Sequence, residues 1–125
     1  MHWSEVAANA LAAKGDKHII ASGITPSGEF HIGHLREILT GDMITRACKE
    51  KGLDAEFVFV IDSADPLRKV YSFLSSEYER YIGHPLAKIP APDENGNPSS
   101  DGRTYAQHFL EPFLEALEQI DVKPR

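Results

Sequence analysis

A chain of 125 residues with 42% hydrophobic content can bury one modest core, which sets a single domain as the ceiling and is small for an α/β enzyme. The net charge of −6, from 19 acidic against 13 basic residues, argues against a surface given over wholly to nucleic acid, so any polynucleotide contact is expected to be local or to lie outside these residues. Cys48 is the single cysteine, so these residues hold no intramolecular disulfide and no cysteine-based zinc site, as suits a reducing compartment. The start Met1-His2-Trp3-Ser4-Glu5 lacks a basic n-region, and no stretch approaches the roughly 18 apolar residues of a membrane span, so a cytoplasmic chain without a membrane partner is expected.

In chain order, Ser4 is placed to cap a first helix through Ala13, with Val6, Ala7, Ala10 and Leu11 at helical spacing and Gly15 as the stop. Lys17 to Ser22 carries the apolar run His18-Ile19-Ile20-Ala21 and ends at Ser22-Gly23, as a buried parallel strand ends in its loop. From Ile32 to Lys51, Leu35, Ile38, Leu39, Met43, Ile44 and Ala47 form one face opposite Arg36, Glu37, Arg46 and Glu50, and Gly52 closes the helix. Ala55 to Ile61 is an almost unbroken hydrophobic run that reads as a second buried strand, ending in Asp62, Ser63 and Asp65 before Pro66. Strand, long helix and strand make a βαβ unit and predict an open parallel sheet.

Beyond it a short helix is expected near Ser76 to Ile82. Residues 83–103, rich in Pro, Gly, Asn, Asp and Ser, fit no regular element and read as a functional loop, an insertion or disorder, with turn chemistry at Asp93 to Pro98. A last helix begins at Thr104 with Tyr105, Ala106, Phe109, Leu110, Phe113, Leu114 and Leu117 on its apolar face, and Pro112 should bend or locally break it. Another strand is expected to begin after Ile120-Asp121-Val122.

Between the first strand and the long helix stands Thr25-Pro26-Ser27-Gly28-Glu29-Phe30-His31-Ile32-Gly33-His34. It sets a glycine-punctuated turn and two imidazoles at a helix N-terminus, where backbone N–H groups and the helix dipole favour phosphate, and so reads as a nucleotide site. Pro26-Ser27-Gly28 followed by His31-Ile32-Gly33-His34 resembles the HIGH signature of class I aminoacyl-tRNA synthetases. Within that class, Ser22 to Gly28, the sequel Leu35-Arg36-Glu37, Arg68-Lys69-Val70 and Tyr105 to Phe109 resemble the class I lysyl-tRNA synthetases.

The resemblance covers nearly the whole chain and implies the N-terminal half of a Rossmann-like, HUP-type parallel-sheet nucleotide-binding domain over residues 1–125. The second half of that fold, a KMSKS-type loop and a helical anticodon-binding region are not among these residues. It implies lysine, ATP and tRNA(Lys) as partners, with Mg2+ expected beside ATP although no carboxylate cluster stands out as its protein ligands. His31 and His34 would donate hydrogen bonds to the phosphates as charge develops in amino-acid activation. Gly33 would leave room for the base or ribose, Pro26 and Gly28 would shape the turn, Ser27 and Thr25 would offer hydroxyls to that pocket, and Gly23 and Thr25 would lie near the α-amino group of the amino acid.

Plainer readings stand beside these. Asp62 and Asp65, at the carboxyl end of the second strand, either anchor a cationic amino acid or simply cap the turn before Pro66. Arg68-Lys69 reads as a solvated pair, His108 as an interfacial helix residue, Cys48 as a small core hydrophobe, and the aromatics of Tyr71 to Tyr81 as core or interface rather than a base-stacking platform. A small HxGH-superfamily nucleotidyltransferase and a non-catalytic ATP- or partner-binding module are the competing functions. An unfinished sheet exposes an edge and apolar surface, so marginal stability or self-association is expected.

Overall fold

The computed structural model describes residues 1–125. Two compact units divide the chain: residues 1–24, 31–60 and 118–125 form the first, residues 25–30 and 61–117 the second.

The first unit is built on α1 (Trp3–Ala12), β1 (Lys17–Ile24), α2 (Ile32–Glu50) and β2 (Asp54–Ile61). Here α1 begins one residue before Ser4, because the Nδ1 of His2 accepts the Ser4 N–H at 3.2 Å; His2 is the cap, and Ser4 lies buried inside the helix. Small side chains let α1 approach α2 closely, with Ala8, Ala47, Cys48 and Ala55 forming one core cluster flanked by Leu11, Ile44 and Leu53. Gly41 of α2 faces the Phe57 ring, and a Cβ there would stand 2.7 Å from its Cε1.

The strands pair in a parallel two-stranded sheet, as the βαβ pattern predicts. Strand β1 runs on through Gly23 and Ile24, two residues past its expected end. The missing side chain of Gly23 permits this, since a Cβ there would meet the Val60 carbonyl oxygen at 2.9 Å. The expectation that both strands are fully buried is corrected: Ile19 is 69% and Val60 55% exposed, because the alternating side chains of a pleated strand reach two faces and these two find no cover in the unit.

The segment after α3 returns to this sheet. Arg125 donates its N–H to the Phe57 carbonyl and accepts the Phe59 N–H, both at 2.8 Å, and bonding to residues either side of Val58 is the pattern of a parallel ladder. Upstream, Asp121 takes φ 59°, Val122 is buried, and Arg46 holds the Asp121 carbonyl at 2.8 Å.

The second unit has no sheet. Leu67, Leu74, Tyr78, Leu86, Ile89, Tyr105, Ala106 and Phe109 form its core, with Val70, Tyr71 and Tyr81 packed against it. The helix expected near Ser76 is a 3₁₀ helix, Ser76–Tyr81, and a second 3₁₀ turn spans Leu86–Lys88. Residues 83–103 are tied down although they lack a long element. Leu86, Ile89 and Ala91 are buried, isolated bridges join Pro90 to Thr104 and Pro92 to Pro98, and Asp93 Oδ1 accepts the N–H groups of Asn95 and Asn97. Gly96 adopts φ 79° at a point where a Cβ would strike the Phe73 carbonyl.

Helix α3 (Tyr105–Gln119) opens where Thr104 Oγ1 accepts the Gln107 N–H, and it buries Tyr105, Ala106, Phe109, Phe113 and Leu117. It stays one helix through Pro112, without the expected local break. Proline removes one backbone donor there, and the remaining ladder and the buried aromatic face carry the helix past it.

Candidate functional site

The motif between β1 and α2 is shared between the units: residues 25–30 belong to the second, His31 to His34 to the first.

In the first unit the two imidazoles cap α2. His31 is the N-cap, in extended conformation, and its Nδ1 accepts the Gly33 N–H at 3.0 Å; the His31 N–H in turn donates to His34 Nδ1 at 3.0 Å. This is a capping box in which imidazoles stand where Ser and Glu usually do. The rings stack with centroids 4.0 Å apart and planes 24° from parallel.

The consequence for chemistry is direct. A backbone N–H is an obligatory donor, so each Nδ1 must be a lone-pair acceptor, and the proton of each neutral ring therefore sits on Nε2. Both histidines are thereby fixed as Nε2–H donors at a helix N-terminus. His34 is held below its ordinary pKa, first by desolvation and then by the neighbouring His31, against the opposing pull of Glu37.

Gly33 has a nearer duty than making room for a ligand, because a Cβ on it would stand 2.7 Å from His31 Cε1 and 2.9 Å from Nδ1. The imidazole already lies back over this glycine. Along the same helix, a groove of about 360 Å³ lined by Ile20, Ser22, Gly33, Arg36, Glu37 and Thr40 joins the C-terminal part of β1 to the first turns of α2, and Ser22 Oγ donates to Glu37 across 3.3 Å.

In the second unit, residues 25–30 are anchored at several points. Pro26 is fully buried, the Ser27 N–H closes a tight turn onto the Thr25 carbonyl at 2.8 Å, and Phe30 packs on Phe113 with ring centroids 5.2 Å apart. Gly28 rests against the Phe73 ring. The Ser27 carbonyl accepts the phenolic O–H of fully buried Tyr105, whose pKa is driven up by burial first and then by Tyr71 and Tyr78, so the O–H stays a donor.

The two aspartates after β2 do different jobs. Asp62 Oδ1 accepts the Asp65 N–H at 3.2 Å and so caps the turn, which is the plainer of its two expected roles. Asp65 Oδ2 accepts the Thr25 hydroxyl at 3.1 Å, with the Arg68 guanidinium 3.8 Å from the same oxygen. Lys69 lies over the Tyr71 ring at 5.4 Å. His108 sits edge-on to Phe109 and lines a cleft of about 450 Å³ with Glu29, Phe30 and Arg103.

From sequence, Tyr105 reads as part of an apolar helix face, and Asp62 rather than Asp65 is the aspartate expected to meet the amino acid. The signals toward them are the place of Tyr105 in the family-like stretch Tyr105 to Phe109 and that of Asp65 at the end of a strand. No group of three or more His, Cys, Asp or Glu converges as a metal site, and no helix is long and apolar enough to cross a membrane.

The sequence is similar to archaeal proteins of one kind. It is 46% identical over 125 residues to the lysine–tRNA ligase of Methanosarcina barkeri, covering 100% of this chain and 22% of that protein. Over 124 residues it is 50% identical to the lysine–tRNA ligase of Picrophilus torridus (99% and 23%), and over 125 residues 48% identical to that of Methanocaldococcus jannaschii (98% and 22%). The chain thus spans under a quarter of the length of these relatives. The family description "tRNA synthetases class I (K)" matches residues 1–125, the capped His31 to His34 turn included, and the chain belongs to that family.

Proposed function

We propose that this chain is the N-terminal, ATP-binding part of a lysine–tRNA ligase, which activates lysine with ATP and then transfers it to tRNA(Lys). The observation that carries this reading is the imidazole capping box, which fixes His31 and His34 as a stacked pair of Nε2–H donors at the start of α2. In activation, a carboxylate oxygen of lysine attacks the α-phosphorus of ATP, the bond to the β-phosphate oxygen breaks, and pyrophosphate leaves with the electron pair. The product is lysyl-adenylate. Negative charge that builds on the phosphate oxygens is met by donors already oriented, and the helix N-terminus adds its partial positive charge.

Pro26, Ser27 and Gly28 would form the wall of the phosphate-binding turn, while Gly23, Thr25 and Asp62, the residue that follows β2, would meet the amino acid. Mg2+ would arrive on the ATP phosphates as part of the substrate. A module that binds ATP without completing the reaction is the competing reading.

Lysine-dependent ATP–pyrophosphate exchange by the 125-residue chain separates the two, with His31→Ala/His34→Ala as the control variant and glutamate as the control amino acid. Exchange that requires lysine and vanishes in the double variant is expected for the ligase reading. Saturable ATP binding without exchange would favour the binding module, and the absence of both would overturn the nucleotide assignment.

A further inference from the structure

We propose that Asp65 is a positioning residue that sets Thr25 as an acceptor for the α-ammonium group of the amino acid. This rests on the reading of Thr25 as an amino-acid contact and supplies what that reading lacks, a reason for the polarity of the contact.

The argument starts from the hydroxyl. A threonine O–H has one proton and two lone pairs, so it can present either a donor or an acceptor to a ligand. Here the choice is made by a residue 40 positions away: Thr25 Oγ1 donates to Asp65 Oδ2 at 3.1 Å in a part-buried setting. A carboxylate accepts only, so the Thr25 proton is committed and its lone pairs are what remain for a ligand. Such an oxygen suits an ammonium N–H and is poorly suited to a carboxylate or phosphate oxygen, which would need the same proton.

Asp65 is itself held in place. Its N–H donates to Asp62 Oδ1 at 3.2 Å and its carbonyl accepts the Leu86 N–H at 3.0 Å. Pro66, immediately after it, restricts its backbone. Arg68 stands 3.8 Å from the oxygen that binds Thr25, close enough to stabilise its charge and too far to replace the threonine as donor. The carboxylate also draws density onto the threonine oxygen through a charge-assisted hydrogen bond, which strengthens it as an acceptor. The turn at residues 62–65 thus acts through Thr25 without touching the ligand.

The test is calorimetric titration of lysine, ε-aminocaproate (lysine without its α-amino group) and ATP into the 125-residue chain and its Asp65→Ala, Asp65→Asn, Thr25→Val and Thr25→Ser variants. Thermal melts monitor folding. Asp65→Ala should weaken lysine about tenfold, the scale of one charge-assisted hydrogen bond. It should leave ATP affinity unchanged and abolish the preference for lysine over ε-aminocaproate. Asp65→Asn, which keeps an acceptor oxygen without its charge, should fall between. Thr25→Ser, which keeps the hydroxyl that donates to Asp65, should retain the preference for lysine that Thr25→Val loses, and adding Thr25→Val to Asp65→Ala should cost nothing more.

Equal weakening of lysine and ε-aminocaproate, or loss of ATP binding in step with lysine, would make Asp65 a structural support of the turn and overturn the proposal. Lysine binding that falls in Thr25→Val but not in either Asp65 variant overturns the proposal while the Thr25 reading stands. Lysine binding that is unchanged in Thr25→Val, or undetectable in the wild-type chain, overturns the Thr25 reading and the proposal together.

Discussion

Replacing Gly33 by alanine should leave α2 about as stable as before yet remove a phosphate donor, a combination that follows from the position of one ring. The added Cβ would stand 2.7 Å from His31 Cε1 and 2.9 Å from Nδ1, distances no real methyl tolerates, so the imidazole must leave its seat. With it goes the bond from the Gly33 N–H to Nδ1. Loss of an N-cap costs about 1 kcal/mol, and glycine to alanine near the start of a helix returns up to about 1 kcal/mol of propensity, so the two nearly cancel. His31→Ala loses the same cap with no such return and should be about 1 kcal/mol less stable. Both variants lose the oriented Nε2–H of His31, and both should bind ATP about tenfold more weakly, the scale of one hydrogen bond to a charged group. Urea denaturation and calorimetric titration with ATP measure the two quantities separately. Gly33→Ala with wild-type ATP affinity, or His31→Ala with wild-type stability, would refute the account of the cap as the device that aims the donor.

Three further outcomes are expected. The lowered pKa of His34 means that the folded state disfavours its charged form, so its contribution to stability is present above the ordinary value of 6.5 and is lost as pH falls through the depressed folded value; urea midpoints measured across that interval should decline, and a flat profile would contradict the capping role. At the alkaline end the sign reverses, because burial and the neighbouring Tyr81 and Asp93 push Tyr78 up to about 12, so stability is whole below 10.0 and should fall as pH rises from there toward 12, read by tyrosinate absorbance alongside unfolding. Tyr105→Phe keeps the buried ring but strips the Ser27 carbonyl of its donor, and it should cost about 1 kcal/mol in the melt while leaving far-ultraviolet circular dichroism unchanged.

The βαβ unit was legible because apolar periodicity is a local property: the i, i+3, i+4 spacing of Leu35, Ile38 and Leu39 and the hydrophobic run at Phe57 need no knowledge of the partner surface. The strand ends were less legible. Gly23 reads as a loop residue in sequence, and only the Val60 carbonyl at its missing Cβ shows that it extends β1. The first cap was assigned to Ser4 because serine is the commoner capping residue, whereas His2 reached the helix first.

At the site, spacing placed His31 and His34 at one helix end but carried nothing about which ring nitrogen faces the backbone. Thr25 and Asp65 were both in view, yet a bond across 40 residues leaves no local trace in sequence. Residues 83–103 resisted reading for a related reason. Their order comes from isolated bridges and from anchors such as Leu86 and Ile89, not from any repeated element.

The hydrogen bonds that complete the fold also decide what the candidate site can recognise. A backbone N–H occupies the Nδ1 atom of His31, which turns its Nε2–H, a donor, toward an anionic ligand such as a phosphate oxygen. A carboxylate occupies the proton of Thr25, which leaves lone pairs, an acceptor, for an ammonium group. Ordinary side chains able to donate or accept are thus turned into groups of a single sign before any ligand arrives, and that sign suits an anionic phosphate in one case and a cationic amine in the other. Rotating a hydroxyl or exchanging a tautomer at the moment of binding would cost part of the binding energy, and here both choices are already made. A substitution that spares His31, His34 and Thr25 but breaks the hydrogen bonds that orient them, such as Gly33→Ala or Asp65→Ala, should therefore impair recognition about as much as deleting the contact itself. If either variant binds its ligand as well as the wild-type chain does, orientation is supplied by the ligand and the fold's own hydrogen bonds are only structural.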